Sequence, residues 1–299
     1  MPRVGMIGLG AMGLPMARNI MKAGFPLTVW ARRDDAATAI RAEGARWADT
    51  PANLARACDI VVLIVTNSPD VRELVAGPEG LLDGAQERSV IVDMSTIAPS
   101  VSRSLAALCE ERGVFLLDAP VSGGTQGATA GTLSIMVGGE KEGYAAALPI
   151  LQAMGKKIFH VGPAGAGQVI KLANNILVGT IAAATAEAMV LGVKAGADVG
   201  TMAEVIGAST GASWQLANQF PLRAFTGDFS PGFMTDLLVK DLELALDLGA
   251  ENRTPLLLTA IARQLYTESQ AAGFGKDDYT SVLRVMEQTA GVQVRAGQK

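Results

Sequence analysis

Three glycines at fixed spacing, Gly8, Gly10 and Gly13, constrain the fold of this chain more than any other feature. They follow an apolar run that begins at Val4, and the stretch VGMIGLGAMGLPMARNIMKAGFPLTVWARR, ending at Arg33, reads as strand, turn, helix and strand. The helix runs from Ala11 to Ala23 and the second strand from Leu27 to Trp30. Gly8 permits a tight turn out of the strand, Gly10 lets the backbone approach a pyrophosphate, and Gly13 lets the helix pack closely on the strand. The unpaired N–H groups at the helix start then face the anion. In a chain with 34 glycines an ordinary turn can show the same spacing. The strand before it, and the helix and strand after it, set this turn apart. Gly8, Leu9, Gly10, Ala11, Met12 and Gly13 are therefore candidate contacts for a dinucleotide.

The second strand ends in Ala31-Arg32-Arg33. An NAD-specific domain usually places an acidic residue there for the ribose 2′-hydroxyl; two arginines suit a 2′-phosphate instead. Arg32 and Arg33 thus favour NADP(H), with NAD(H) as the second choice. Asp34 and Asp35 follow, so a solvated loop of mixed charge is the competing reading.

With 299 residues, 49% of them apolar, the chain can build two domains with cores of ordinary size. A net charge of −4 argues against nucleic acid as a partner. Cys58 and Cys109 are far apart in apolar contexts and form neither a disulfide framework nor a metal pattern, so no metal and a reducing, cytoplasmic setting are expected. The run from Arg3 to Pro15 imitates a secretory signal, yet it carries the glycine turn, and its removal would destroy the site. No apolar stretch is read as approaching the ~20 residues of a membrane span. Ile176 to Ala186 comes nearest and reads as a buried helix, so no membrane association is expected.

Strand-like runs alternate with helical ones through the first half: Ile60 to Val65, Val90 to Asp93, Val114 to Asp118, Leu133 to Val137 and Ile158 to Val161. Such alternation predicts an α/β fold, a Rossmann-type doubly wound and mostly parallel sheet. After Gly162-Pro163 the pattern changes. Gln168 to Ala195 reads as one long apolar helix, and only helix signals follow, with Thr254 and Asp277 as N-caps. The expected domains are a nucleotide-binding unit over 1–163 and an all-helical unit for substrate binding and dimerisation over 164–299. A helix so rich in Ala, Gly and Leu asks for burial on all sides. A homodimer or homotetramer packed through the second domain would supply it; later helices wrapping a monomer completely are the other solution.

The chain has a single histidine, His160, at the end of a predicted strand, where a structural role fits better than proton transfer. Lys171 is the candidate general acid/base. It sits one turn into the long apolar helix, within GAGQVIKLANN, where burial lowers a lysine pKa toward the range useful for proton transfer. Asn175, four residues on, shares its face and can orient the lysine or hold a substrate hydroxyl. A snorkelling lysine at an amphipathic helix start is the plain alternative. Asp118-Ala-Pro-Val-Ser-Gly-Gly124 follows a strand, so its turn is expected at the carboxyl edge of the sheet, where ligands of such folds bind. There Ser122, Gly123 and Gly124 offer donors suited to a small carboxylate. In FMTDLLVKDLELALD, from Phe233 to Asp247, Lys240 and Asp247 fall on one helical face.

Together these segments resemble the β-hydroxyacid dehydrogenase family. GLGAMGLPMARN, DMSTIAP around Thr96, DAPVSGG, GAGQVIKLANN and GFMTDLLVKDLELALD appear in family order and spacing over nearly the whole chain. The resemblance implies a Rossmann domain, a helical domain and hydride transfer between NAD(P) and a short 3-hydroxy acid. It matches Lys171 to the family's catalytic lysine, with Asn175, Ser122, Gly123 and Gly124 on the substrate. Thr96, Phe233 and Lys240 match cofactor contacts, and Asn67 falls in a cofactor-contacting loop. Ser209 to Trp214 looks like the substrate loop of the 3-hydroxyisobutyrate type, which makes Trp214 a substrate candidate. DMSTIAP and the two arginines look more like reductases of tartronate semialdehyde or glyoxylate. Reduction of succinic semialdehyde or sulfolactaldehyde is the alternative within the family, and a non-catalytic NADP-binding module the alternative outside it. Imine reductases share the architecture, but the lysine they typically alter is present here.

Overall fold

The computed structural model describes residues 1–297. The chain divides into two compact units, 1–171 and 172–299.

The first unit is built on a nine-stranded sheet. Its strands are β1 (Val4–Ile7), β2 (Leu27–Trp30), β3 (Arg46–Trp47), β4 (Ile60–Leu63), β5 (Val90–Asp93), β6 (Phe115–Asp118), β7 (Val121–Ser122), β8 (Leu133–Gly138) and β9 (Gly155–Gly162). The order is β3-β2-β1-β4-β5-β6-β8-β7, with β9 also paired to β8. From β3 to β6 every pairing is parallel. Period-2 alternation explains why the central strands are apolar throughout. Val4, Met6, Val62 and Val92 enter one core, while Ile7, Val61, Leu63 and Ile91 enter the other, so helices cover both faces. The sequence points to a plain turn after β6, but residues 121–122 form the short strand β7, antiparallel to β8. Pairing of Val121 with Ile135 and Ser122 with Ser134 satisfies backbone groups that a turn would leave open.

The second unit is helical. Its main elements are the C-terminal part of the long helix Ala166–Lys194, then Val199–Gly207, Thr235–Glu251, Leu257–Ser269 and Val282–Ala290. Ala182, Ala186 and Met189 of the long helix pack with Leu238, Leu242 and Tyr266. The Tyr266 hydroxyl donates to the Gly179 carbonyl at 3.1 Å.

The compact units divide at 171/172, and the first turn of the long helix is hydrogen bonded to the end of β6. Three local expectations are corrected. The long helix is, by length and composition, apolar enough to cross a membrane, contrary to the reading of its sequence. The uninterrupted apolar run lies between Asn175 and Glu187, whereas the helix continues through both. Thr254 does not cap the helix that begins at Leu257: its N–H bonds the Gly249 carbonyl at 2.8 Å and closes the preceding helix. Asp278, not Asp277, is the cap of the turn Tyr279–Ser281, while Asp277 pairs with Arg284 at 2.8 Å.

Candidate functional site

The parallel register brings the sheet unit's candidate residues to one edge. Trp30, Ile7, Leu63, Asp93 and Asp118 are partners across β2-β1-β4-β5-β6, and each is the last residue of its strand. The loops that follow therefore leave the sheet at one level: Arg32 and Arg33 after β2, the glycine turn after β1, Asn67 after β4, Thr96 after β5 and the DAPVSGG segment after β6.

The glycine turn fits a dinucleotide. Gly8 has φ +93°, and a Cβ there would lie 2.0 Å from the Ile64 carbonyl oxygen; one on Gly13 would lie 1.7 Å from the Gly8 carbonyl oxygen. Those two positions exclude any side chain. Gly10 is different: a Cβ there would meet nothing within 4 Å, so its surface faces open space that a phosphate can approach. The helix that follows, Gly13–Lys22, has no side-chain cap and no acidic residue in its first turn, which leaves its amide ends for an anion.

Arg32 is exposed and pairs with Asp70 at 2.9 Å and Glu73 at 3.8 Å; Arg33 lies 3.7 Å from Asp35. Both guanidiniums thus stand among carboxylates at the surface. Asn67 uses its side-chain oxygen to cap the helix Ser68–Ala76, accepting the Asp70 N–H at 2.9 Å. Thr96 is half-buried between Ser95 and Ile97.

Asp118 is fully buried at the end of β6 and caps the long helix from a distant part of the chain. Its two carboxylate oxygens accept the Gly165 N–H at 2.7 Å and the Gln168 N–H at 3.0 Å. Burial pushes its carboxyl up to about 6, against the opposing pull of those backbone donors. Lys171, one turn further along, is only 8% exposed. Ser122 is half-buried in β7, and Gly123 and Gly124, with φ +131° and +59°, turn the chain into the helix Gly124–Ala130. His160 donates its Nε2–H to the Gly139 carbonyl, 2.8 Å away, and stacks on Tyr144, the structural role its position suggests.

In the helical unit, Asn175 is buried and its amide donates to Asp241 at 2.5 Å, while its oxygen accepts from Asn174 at 3.0 Å. Lys240 lies 3.0 Å from Asp241. Asp247, which shares the helical face of Lys240 by period, is exposed, and the carboxylate at Lys240 is that of the neighbouring Asp241. Phe233 packs edge-to-face on Tyr279, and its N–H donates to buried Asp278 at 3.2 Å. Trp214 is a surface residue, 64% exposed. Sequence reasoning does not single out Asp118, Gln168 and Asp241, because what marks these buried polar residues is a partner distant along the chain.

Residues 3–162 match the NAD binding domain of 6-phosphogluconate dehydrogenase, and residues 165–286 match the family described as NAD-binding of NADP-dependent 3-hydroxyisobutyrate dehydrogenase. A 2-(hydroxymethyl)glutarate dehydrogenase of Eubacterium barkeri is 42% identical over 99% of this chain and 98% of its own. The chain belongs to the β-hydroxyacid dehydrogenase family. A second member, the 3-hydroxyisobutyrate dehydrogenase of Pseudomonas aeruginosa, is 40% identical over 89% of this chain and 92% of its own. The solved Mycobacterium tuberculosis 3-hydroxyisobutyrate dehydrogenase with L-serine aligns at TM-score 0.89 and 34% identity, covering 96% of this chain and 99% of that one. Like these members of the family, the chain is an NAD(P)-dependent dehydrogenase acting on CH–OH donors.

Proposed function

We propose that this enzyme interconverts a short 3-hydroxy acid and its semialdehyde, of the 3-hydroxyisobutyrate or tartronate semialdehyde type, with Lys171 as general acid/base and NADP(H) preferred over NAD(H). The observation that carries the reading is a lysine only 8% exposed, on a helix whose start is bonded to the end of β6, at the edge where the glycine turn opens. The substrates named for the relatives support it: 2-(hydroxymethyl)glutarate, 3-hydroxyisobutyrate and L-serine each carry a primary hydroxyl on the second carbon from the carboxylate carbon.

The nicotinamide cofactor, when bound, would supply the hydride acceptor for oxidation of the carbinol carbon and the hydride donor for the reverse reduction. In oxidation Lys171 Nζ accepts the hydroxyl proton, and in reduction it protonates the developing alkoxide. Ser122 and the backbone at Gly123 and Gly124 hold the carboxylate, and Trp214 borders the substrate. Asn175, oriented by Asp241, holds the substrate hydroxyl. The glycine turn, Asn67, Thr96, Phe233 and Lys240 hold the cofactor, with Arg32 and Arg33 toward the 2′-phosphate. Arg32 would exchange its exposed carboxylate partners for that phosphate, a trade between surface ion pairs that are individually weak. We further propose a homodimer or homotetramer, because the long helix leaves Leu177 and Leu191 58% and 72% exposed in the single chain.

The test is turnover of a panel of short 3-hydroxy acids and semialdehydes with NADH and with NADPH. Activity on acids, with little on alcohols that lack the carboxylate, is expected, because unpaired donors penalise such analogues. Equal kcat/KM for a simple alcohol and its matching acid would remove the carboxylate site.

A further inference from the structure

We propose that Gln168 is a positioning residue that couples the loop carrying Thr96 to the helix carrying Lys171, so that cofactor at the loop sets the position of the proton-transfer group. The proposal rests on the roles given above to Thr96 and Lys171.

Gln168 is fully buried, and its amide is committed on both sides of Thr96. Its side-chain nitrogen donates to the Ser95 carbonyl at 2.8 Å, and its oxygen accepts the Ile97 N–H at 3.2 Å. The bridged loop is itself tied to the sheet edge. Ser95 donates its N–H to Asp93 at 3.0 Å, and its hydroxyl accepts the Val65 N–H at 2.9 Å. The main chain of Gln168 is held as well, since its N–H donates to Asp118. One residue therefore fastens the end of β5, the end of β6 and the first turn of the long helix.

The bonds of the Gln168 side chain do nothing for its own helix. The helix start is already capped by Asp118, so an apolar side chain of similar length would fill the same space. A Cβ on neighbouring Gly167 would lie 2.4 Å from the Met136 carbonyl oxygen, so the helix start is pressed against β8 with no room to drift. The two amide bonds of Gln168 add a lock against rotation or sliding of that turn relative to the 95–97 loop. Lys171 follows three residues later, on the next turn of the same rigid element. A displacement of about 1 Å at a reacting group is enough to change a rate about 100-fold.

Two variants and two measurements test the coupling. Gln168→Met keeps the volume and loses both bonds; Gln168→Glu keeps the acceptor and loses the donor when its carboxyl ionises. The first measurement is hydrogen exchange with and without NADP(H), which needs no substrate. In the wild type the cofactor is expected to slow exchange in residues 94–98 and 165–171 together. In Gln168→Met only the 94–98 protection should remain. The second is single-turnover hydride transfer, expected to fall about 10- to 100-fold in Gln168→Met, with cofactor Kd and substrate KM changed far less. Gln168→Glu should lose rate relative to the wild type as the pH rises, and it carries both measurements should the Met variant fail to fold. Retained protection of 165–171 in the variants, or an unchanged hydride-transfer rate, overturns the coupling. A wild type inert to every acid and semialdehyde in the panel overturns the proposed substrate class instead, and the exchange measurement still decides the coupling.

Discussion

Lys171 and Asp118 show how far single side chains can be argued. Among the described residues, Lys171 alone combines an amine, 8% exposure and a place on the helix that starts at the sheet edge. Lys171→Ala is expected to lower kcat roughly 10²–10⁴-fold, with cofactor affinity by fluorescence titration unchanged. Lys171→Arg should restore little, because a guanidinium stays charged and cannot act as a base near neutral pH. Near-normal turnover in the Ala variant would make Lys171 a structural residue. Asp118 makes a prediction about stability. Burial raises its carboxyl from 3.8 to about 6, so between those values the folded protein binds the proton more tightly than the unfolded chain. Its contribution to stability is therefore present in full at low pH and declines as the pH rises through that window, by up to roughly 3 kcal/mol. Asp118→Asn removes the titration. The wild-type-minus-variant stability from urea melts should fall between about pH 4 and pH 6. A flat difference would show that the backbone donors of Gly165 and Gln168 cancel the burial.

Elements decide how these residues are presented. The helix Thr235–Glu251 delivers Asp241 to Asn175 and leaves Lys240 at the same carboxylate, so one buried charge fixes two candidate contacts. In Asp241→Asn one neutral oxygen must serve both the Asn175 amide and the Lys240 ammonium, and a charge-assisted bond of roughly 1.5–3 kcal/mol is lost. A drop of about 10- to 100-fold in kcat/KM for the hydroxy acid is expected. An unchanged value would make the pair a feature of packing alone. The loop after β2 is the second case. Arg32→Asp would set a new carboxylate beside Asp70 and any 2′-phosphate, so the NADPH Kd should rise at least about tenfold while NADH changes much less. Equal weakening of both cofactors, or a wild-type preference for NADH, would end the NADP assignment.

The whole molecule raises the question of what covers its apolar surface. Leu177 and Leu191 lie fourteen residues apart on the long helix, close to four turns, and therefore on one face. Leu257, Leu258 and Ile261 add further exposed apolar area on another helix of the same unit. If a second copy buries the long-helix face, Leu177→Glu with Leu191→Glu should shift sedimentation from oligomer toward monomer while the circular dichroism stays helical. An unchanged sedimentation coefficient would remove that face from the interface.

The sequence by itself determined the parts that rest on local rules. The glycine turn follows from the steric demands of Gly8 and Gly13, the alternation of strands and helices follows from apolar periodicity, and the helical second half follows from the loss of strand runs after Gly162. Lys171 and Asn175 stand out in the sequence as candidates because a cation and an amide are conspicuous in an apolar helix. Tertiary structure alone decided the partners. Asp118 caps a helix nearly fifty residues away, Gln168 bonds a loop more than seventy residues before it, and Asp241 reaches Asn175 across sixty-six positions. Such pairs leave no periodic trace. A hydrogen bond constrains two side chains in space, whereas a sequence pattern registers only neighbours along one element. For the same reason the chain's packing boundary falls inside a helix, at 171/172, where composition shows no break.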